Sequence, residues 1–169
     1  MRSNPPILLA GLCIQLLIGC SPIAGAGYQS QGDAAMDAQD YKKAVAYYSL
    51  ALEQYKNETS YYHRGNALAQ LKEYKASIAD YSEAIRLNPE DASYWKNRGS
   101  SKMAIKDYPG AIEDYNQAIK LRPADGSVYK WRGIVYGMQG DRGRACSDLK
   151  EAKKLNADDA SKIVKEVGC

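Results

Sequence analysis

The chain has 169 residues and a formal net charge of only +3, and it shows no basic stripe interleaved with aromatic residues, which argues against nucleic acid binding. The single histidine, His63, has no second His or Cys at metal-ligand spacing, and the sequence contains no phosphate loop, dinucleotide fingerprint or nucleophile elbow. The sequence therefore predicts a protein that is not an enzyme and that holds no metal or cofactor.

Residues 1–19 have the pattern of an export signal. Arg2 precedes an apolar run, Ile7–Ile18, that is too short to span a bilayer comfortably. The run closes on Leu17-Ile18-Gly19-Cys20, which resembles the bacterial lipobox, whose cysteine receives diacylglycerol before cleavage. The resemblance implies that residues 1–19 are removed and that Cys20 carries a covalent lipid. The alternatives are an ordinary signal peptide without lipidation and an apolar start that arose by chance.

The residues after Cys20 bear on localisation. Ser21 resembles the residue found at this position in lipoproteins that are sorted onward to the outer membrane. The resemblance implies an exported, lipid-anchored protein, on the periplasmic side of the outer membrane if the cell has two membranes. The composition then turns to Ser, Pro, Ala and Gly, which predicts a short flexible tether over residues 20–27.

The remainder of the chain repeats the same chemistry with a period of 34 residues. In three copies an aromatic residue precedes an Arg-Gly pair, and an Asp, an Ala and a closing Leu follow at fixed distances. A period of this size indicates stacked supersecondary units, none of which buries its apolar face alone. A fourth, shorter copy upstream keeps Tyr28, Gly32, Tyr41, Ala44, Tyr48 and Ala51 in the expected columns.

These columns resemble the tetratricopeptide repeat, a helix-turn-helix unit of this period. The resemblance implies an all-α fold, a right-handed superhelical solenoid over residues 28–159 with a C-terminal capping helix over 160–169. The four repeats are expected at about 25–57, 58–91, 92–125 and 126–159. Local signals agree, because Asn88-Pro89 and Arg122-Pro123 predict the ends of two second helices.

Charged columns recur in step with the glycines. Arg64, Arg98 and Arg132 repeat in register with Asp80, Asp114 and Asp148, whereas the first copy has Gln31 and Tyr47 in these columns. The favoured interpretation is an ion pair that joins the two helices of a repeat or two adjacent repeats. The alternative is a ladder of arginines that faces the groove and grips a ligand.

The resemblance also implies a concave groove lined by the first helix of each repeat. Some tetratricopeptide proteins hold a peptide carboxylate there with a Lys/Asn/Arg clamp, but Asp33 and Ile134 break that pattern in this chain. The favoured hypothesis is a mixed polar and apolar peptide groove, with contacts concentrated on Tyr62, Asn66, Lys96 and Lys130. The alternative is a solvated groove, with partners docking elsewhere. The groove candidates are Gln29, Asp33, Asp37, Tyr62, Asn66, Gln70, Lys96, Ser100, Met103, Lys130, Ile134 and Met138.

Two cysteines remain near the C-terminus. An apolar stripe at Ala160, Ile163, Val164 and Val167 predicts the capping helix. If this helix folds back through a turn near residue 157, Cys146 and Cys169 lie side by side, and export places them where disulfides persist. The sequence predicts a Cys146–Cys169 disulfide, with two free thiols as the alternative.

Together these patterns predict a membrane-anchored scaffold or adaptor that binds other proteins or peptide segments. It would help to assemble or position a cell-envelope complex. The alternative is a structural envelope module that associates with itself to form homo-oligomers.

Overall fold

The computed structural model describes residues 22–169, apart from the side chains at 22–25, 161 and 165–167. The predicted signal peptide and Cys20 lie outside the described residues. No helix within the described range combines the length and hydrophobicity needed to cross a membrane.

The described chain forms helical hairpins that follow one another, which confirms the predicted all-α fold. Each hairpin is one repeat, and its two helices are joined by a short turn. The helices are α1 (Pro22–Asp37), α2 (Tyr41–Gln54), α3 (Glu58–Gln70), α4 (Tyr74–Leu87), α5 (Ala92–Ala104), α6 (Tyr108–Leu121), α7 (Gly126–Met138), α8 (Arg142–Lys154) and α9 (Ala160–Val167).

Helix ends follow local sequence signals. α4 and α6 end at Leu87 and Leu121, directly before the Asn88-Pro89 and Arg122-Pro123 pairs that predicted these ends. Aspartates cap several helices; the carboxylate of Asp107, for example, accepts a hydrogen bond from the amide of Gly110. Such a cap satisfies one of the unpaired N–H groups in a first helical turn.

The start of α1 differs from the prediction of a flexible tether. The helix begins at Pro22 and therefore includes most of the 20–27 segment. Proline is favoured at a first helical position, since its missing N–H would be unpaired there anyway. Ala24 and Ala26 have the highest helix propensity of any residue type and add no cost to that of the two glycines in the same segment.

Tyrosines on the second helices pack against glycines on the first helices. The side chains of Tyr81 and Tyr115 are buried, and they lie against Gly65 and Gly99. A Cβ atom added to Gly99 would lie 2.9 Å from Cε1 of Tyr115. The glycines therefore mark the close helix approach that the repeat pattern predicted.

The hairpins stack so that their first helices lie side by side. α1 contacts α3, α3 contacts α5, and α5 contacts α7, in addition to the contacts between helices that follow one another along the chain. The first helices therefore line a shared inner face, which we call the concave face. This is where the sequence placed its groove candidates.

The capping helix α9 closes the C-terminal end by packing on α8. A disulfide joins Cys146 of α8 to Cys169, with the two Cα atoms 5.4 Å apart. The guanidinium of Arg142 also donates a hydrogen bond to the carbonyl oxygen of Gly168, at 3.0 Å. The structure thus contains the disulfide that the sequence predicted.

Candidate functional site

Each repeated arginine connects three helices. In the third repeat, Arg98 donates to both carboxylate oxygens of Asp114, at 2.9 and 2.7 Å, and to the Ser82 hydroxyl of the preceding repeat at 3.0 Å. The guanidinium also lies over the ring of Trp95, 4.9 Å from its centroid. The same arrangement recurs as Arg64 with Asp80 and Ser49, and as Arg132 with Asp148 and Asn116.

These contacts decide between the two interpretations of the arginine column. The guanidinium groups are committed to ion pairs within each repeat and to hydrogen bonds between repeats. The Asp80 carboxylate also raises the pKa of Arg64, chiefly through their hydrogen bonds. The structural interpretation is therefore confirmed, since the arginines join helices and do not form a ligand-binding ladder.

Asparagine side chains connect the first helices across the concave face. Asn97 donates through Nδ2 to Oδ1 of Asn66, at 3.0 Å, and to the hydroxyl of Tyr62, at 3.2 Å. The same Asn66 oxygen accepts a hydrogen bond from the Tyr81 hydroxyl, at 2.8 Å. Burial raises the pKa of Tyr81, so its hydroxyl keeps the proton that it donates.

A cavity of about 540 Å³ opens beside this network, between α1, α3, α4 and α5. We call it the neutral pocket, because none of the described residues that line it carries a charge. Amide and hydroxyl groups alternate there with apolar side chains. The polar lining residues are Asn66, Gln70, Asn97, Ser100 and Ser101, the apolar ones are Met36, Ala69, Met103 and Ala104, and the tyrosines are Tyr74 and Tyr81.

The two groove lysines have partners within the chain. Lys96 Nζ lies 3.2 Å from Oδ2 of Asp125, and the Asp125 carboxylate also caps α7. Burial alone would raise the pKa of Asp125, but hydrogen bonds from Ser127 and Lys96 outweigh it and hold this pKa below its usual value. Lys130 Nζ donates to the carbonyl oxygen of Asp158, at 3.1 Å. Both lysines thus support the solenoid, and neither lines the neutral pocket.

The acidic candidates lie at the N-terminal end of the concave face. Asp33 accepts a hydrogen bond from the hydroxyl of Tyr48, at 2.7 Å, and lies 3.8 Å from Nδ1 of His63. Burial and this carboxylate together raise the pKa of Tyr48. Neither Gln29 nor Asp37 lines the neutral pocket.

The structure therefore brings together four of the groove candidates. Asn66, Gln70, Ser100 and Met103 line one pocket, with Tyr62 beside it. Asn97 was not among the groove candidates, although an asparagine in a helix interior is a signal, because its side chain disfavours the helix unless it has another role. Met36 and Tyr74 were also missed. The angle between neighbouring hairpins decides which helical residues reach the pocket, and the sequence does not give this angle.

The arrangement is suited to binding and not to a carboxylate clamp. A clamp needs cationic groups aimed into the groove, and here the groove candidate Lys96 is paired with Asp125, the residue that caps α7. Amide groups bind polypeptide backbone, and the apolar residues accept uncharged side chains. In the range that the structure describes, no three His, Cys, Asp or Glu side chains are grouped to hold a metal ion.

Family models for the tetratricopeptide repeat match residues 26–58 and 59–91, and a TPR repeat model matches residues 99–140. A comparison with curated proteins found no match.

Solved structures show the same fold. The chain resembles YrrB, described as a TPR protein with an unusual peptide-binding site, with 19% identity, a TM-score of 0.78, and coverage of 85% of this chain and 75% of that one. It resembles MamA from Desulfovibrio magneticus RS-1 with 20% identity, a TM-score of 0.76 and coverage of 81% and 76%. A TPR domain of RPAP3 bound to an HSP90 peptide matches with 18% identity, a TM-score of 0.70 and coverage of 73% and 98%.

Proposed function

Because this chain belongs to the tetratricopeptide repeat family, we propose that it is a scaffold that binds a polypeptide segment of another protein in its concave groove. The observation that carries this proposal is the neutral pocket, a cavity of about 540 Å³ at the junction of the second and third repeats. Its volume lies within the usual range for ligand sites. Two proteins of the same fold, YrrB and the RPAP3 domain, are described as having a peptide-binding site or as bound to a peptide, which supports the proposal.

The lining of the neutral pocket specifies the chemistry of the bound segment. Asn66 and Asn97 present amides that hydrogen-bond a peptide backbone, while Met36 and Met103 present flexible apolar surface. A charged side chain would lose its hydration there without gaining an ionic partner. The segment that occupies the pocket is therefore uncharged, and its affinity depends little on salt concentration.

The test blocks the neutral pocket without breaking a hydrogen bond. Ala104 is exposed in the last turn of α5 and lines the pocket, so Ala104→Trp fills the opening with a large side chain. We expect this variant to keep its helical circular dichroism and to capture its partner from envelope extracts roughly tenfold less well or worse. Ala79→Trp is the control, since Ala79 is exposed on α4 and does not line the pocket. Equal capture by both variants would place the partner on another surface.

We also propose that the scaffold is exported and held on a membrane by a lipid on Cys20. Cys20 lies two residues before Pro22, the first residue of α1, so the first hairpin would sit close to the membrane surface. This placement supports a role in assembling or positioning a complex of the cell envelope, on the periplasmic side of the outer membrane in a cell with two membranes.

Replacing Cys20 by serine tests the anchor. Two or three acyl chains hold a protein stably on a membrane, at about 0.8 kcal/mol per buried CH₂. We expect Cys20→Ser protein to move from the membrane fraction to the soluble fraction, while its circular dichroism and melting temperature stay unchanged. A variant that remains in the membrane fraction after a high-salt wash would show that something other than lipidation holds it there.

Self-association is a second candidate function, and one observation favours it. Ala67, Ser101 and Val135 occupy one column of the repeat and are buried, whereas Ala34 in the same column is exposed, since none of the described residues forms a hairpin before α1. This open end is a surface on which a second copy would pack. Light scattering separates the two functions, since a stable dimer favours self-association and a monomer favours the scaffold.

A further inference from the structure

A second cavity lies on the concave face at the C-terminal end, between α7, α8 and α9. Its volume is about 360 Å³, and we call it the C-terminal pocket. Every lining residue that the structure describes is apolar or glycine. They are Gly133, Ile134, Gly137, Met138, Ala145, Leu149 and Ile163.

The C-terminal pocket exists because one column of the repeat holds a glycine. Gly137 occupies the column of Ala69 and Met103, and Met103 packs against the hydrophobic core of the third repeat. A Cβ atom added to Gly137 would meet only the Cβ of Ala145 within 4 Å, at 4.0 Å. Glycine weakens a helix interior, and here it keeps the space above Ala145 open.

The wall of the pocket that α9 forms is held in place independently of any ligand. Ile163 belongs to α9, which the Cys146–Cys169 disulfide and the hydrogen bond from Arg142 to Gly168 tie to α8. Lys130 of α7 ties the preceding segment through the carbonyl oxygen of Asp158. The pocket is therefore preformed, so an occupant does not have to order its walls on binding.

The pocket continues the groove of the proposed function. Ile134 occupies the column of Asn66 and Ser100, and Met138 occupies the column of Gln70 and Ala104, all four of which line the neutral pocket. Met138 is 56% exposed, so the pocket is open to solvent on the concave face. A segment that lies in the groove can therefore reach both pockets.

We propose that the C-terminal pocket binds an aliphatic side chain of the partner segment, a refinement that rests on the proposed groove function. None of the described lining residues offers a side-chain hydrogen bond, so a polar or charged group placed against them would lose its contacts with water without replacement. An aliphatic group gives up no hydrogen bonds with water, and its burial is favourable in proportion to the area removed from water. The bound segment thus has an uncharged part over the Asn66–Asn97 network and an aliphatic anchor beside α9.

The test uses a small probe so that it does not depend on knowing the partner. The purified chain is isotopically labelled on its methyl and amide groups, and N-acetyl-leucine methylamide is titrated into it. The chemical shifts of the protein are followed by NMR. We expect saturable shifts at the methyl groups of Met138 and Ile163 and at the amide of Gly137. N-acetyl-asparagine methylamide, which is similar in shape but polar, is expected to bind roughly tenfold more weakly or worse. Absence of saturation, or equal affinity for the two probes, would overturn the proposal.

Filling the pocket from within provides the matched variant. Gly137→Leu places a side chain in the open space and is expected to abolish binding of the leucine probe while the helical content is kept. Gly143→Leu adds the same side chain to an exposed position of α8, where the nearest atom to an added Cβ is 3.7 Å away, and is expected to bind the probe as the unmodified chain does. If Gly137→Leu fails to fold, Met138→Lys tests the same wall from an exposed position. Unchanged binding by a folded pocket variant would refute the assignment.

Failure here can be told apart from failure of the proposed function. Partner capture that depends on Ala104, combined with no binding of the leucine probe, would eliminate only the C-terminal pocket. If probe binding depends on Gly137 but partner capture is unaffected by Ala104→Trp, the apolar site is supported and the proposed peptide groove is refuted.

Discussion

Replacing Gly99 by leucine is expected to lower the free energy of unfolding by about 3 kcal/mol or more. The added Cβ would lie 2.9 Å from Cε1 of Tyr115 and 3.3 Å from the carbonyl oxygen of Ala111. The Tyr115 ring is fully buried, so it cannot move aside without disturbing the core of the third repeat. The thermal midpoint is expected to fall by roughly 6–12 °C, as measured by circular dichroism.

The matched control for this prediction is the same substitution at an open glycine. Gly143→Leu adds an identical side chain to a helix, but the nearest atom lies 3.7 Å from the added Cβ. We expect its thermal midpoint to stay within a few degrees of that of the unmodified protein. For a chain of this size, each kcal/mol of destabilisation lowers the midpoint by roughly 2–4 °C. If Gly99→Leu melts at the same temperature as Gly143→Leu, Gly99 does not lie at a tight helix crossing.

Replacing Asp114 by alanine is expected to destabilise the protein by about 3 kcal/mol. The Asp114 side chain is only 2% exposed and pairs with Arg98, 16% exposed, and with Lys102, whose Nζ is 2.9 Å away. Removing the carboxylate leaves two partly buried cations without their shared partner. The expected loss of stability lies near the lower end of the range for breaking a buried ion pair, because both cations retain some contact with solvent. Urea unfolding measures the change.

A double variant separates the value of the pair from the cost of breaking it. In Arg98→Met/Asp114→Leu neither charge remains, so little is left unpaired except Lys102, whose long side chain can turn toward water. We expect this variant to be more stable than Asp114→Ala, because apolar replacements of a buried ion pair are often neutral. A double variant less stable than the single one would show that the bidentate pair itself contributes a large net stabilisation.

The features that sequence predicted correctly are those that recur or that act over short distances. The Arg98–Asp114 pair was predictable because both residues repeat in register and vanish together in the first copy. The helix end at Leu87 was predictable because proline acts on its immediate neighbour. The Cys146–Cys169 pair was predictable because the two cysteines lie at similar distances on either side of the turn near residue 157.

The features that sequence could not predict depend on the spacing between neighbouring hairpins. Lys96 was expected to contact a partner, but α7 brings Asp125 within 3.2 Å of its Nζ atom. Asn97 was overlooked because its bond to Asn66 crosses between two repeats. The cavity at Gly137 is a shape formed by three helices, and no single segment of sequence encodes it.

The start of α1 shows a different limit. A composition rich in small residues predicts a flexible tether, but the same residues also permit a helix when one is already nucleated nearby. The helix therefore extends back to Pro22, where proline is well tolerated. Composition alone does not separate these outcomes, since the deciding factor is the stable hairpin that follows.

The contacts that each repeated arginine makes with three helices influence how the solenoid unfolds. Each guanidinium joins a hairpin to the one before it, so neighbouring repeats melt together and not as independent units. The first hairpin lacks the arginine and aspartate of this column, having Gln31 and Tyr47 instead, while the last is closed by a covalent loop. Local opening should therefore begin at α1 and α2 and proceed toward the disulfide, with amide hydrogen exchange fastest at the first hairpin and slowest in the last one. The end of the solenoid that follows Cys20 in the sequence would then be its least cooperative part.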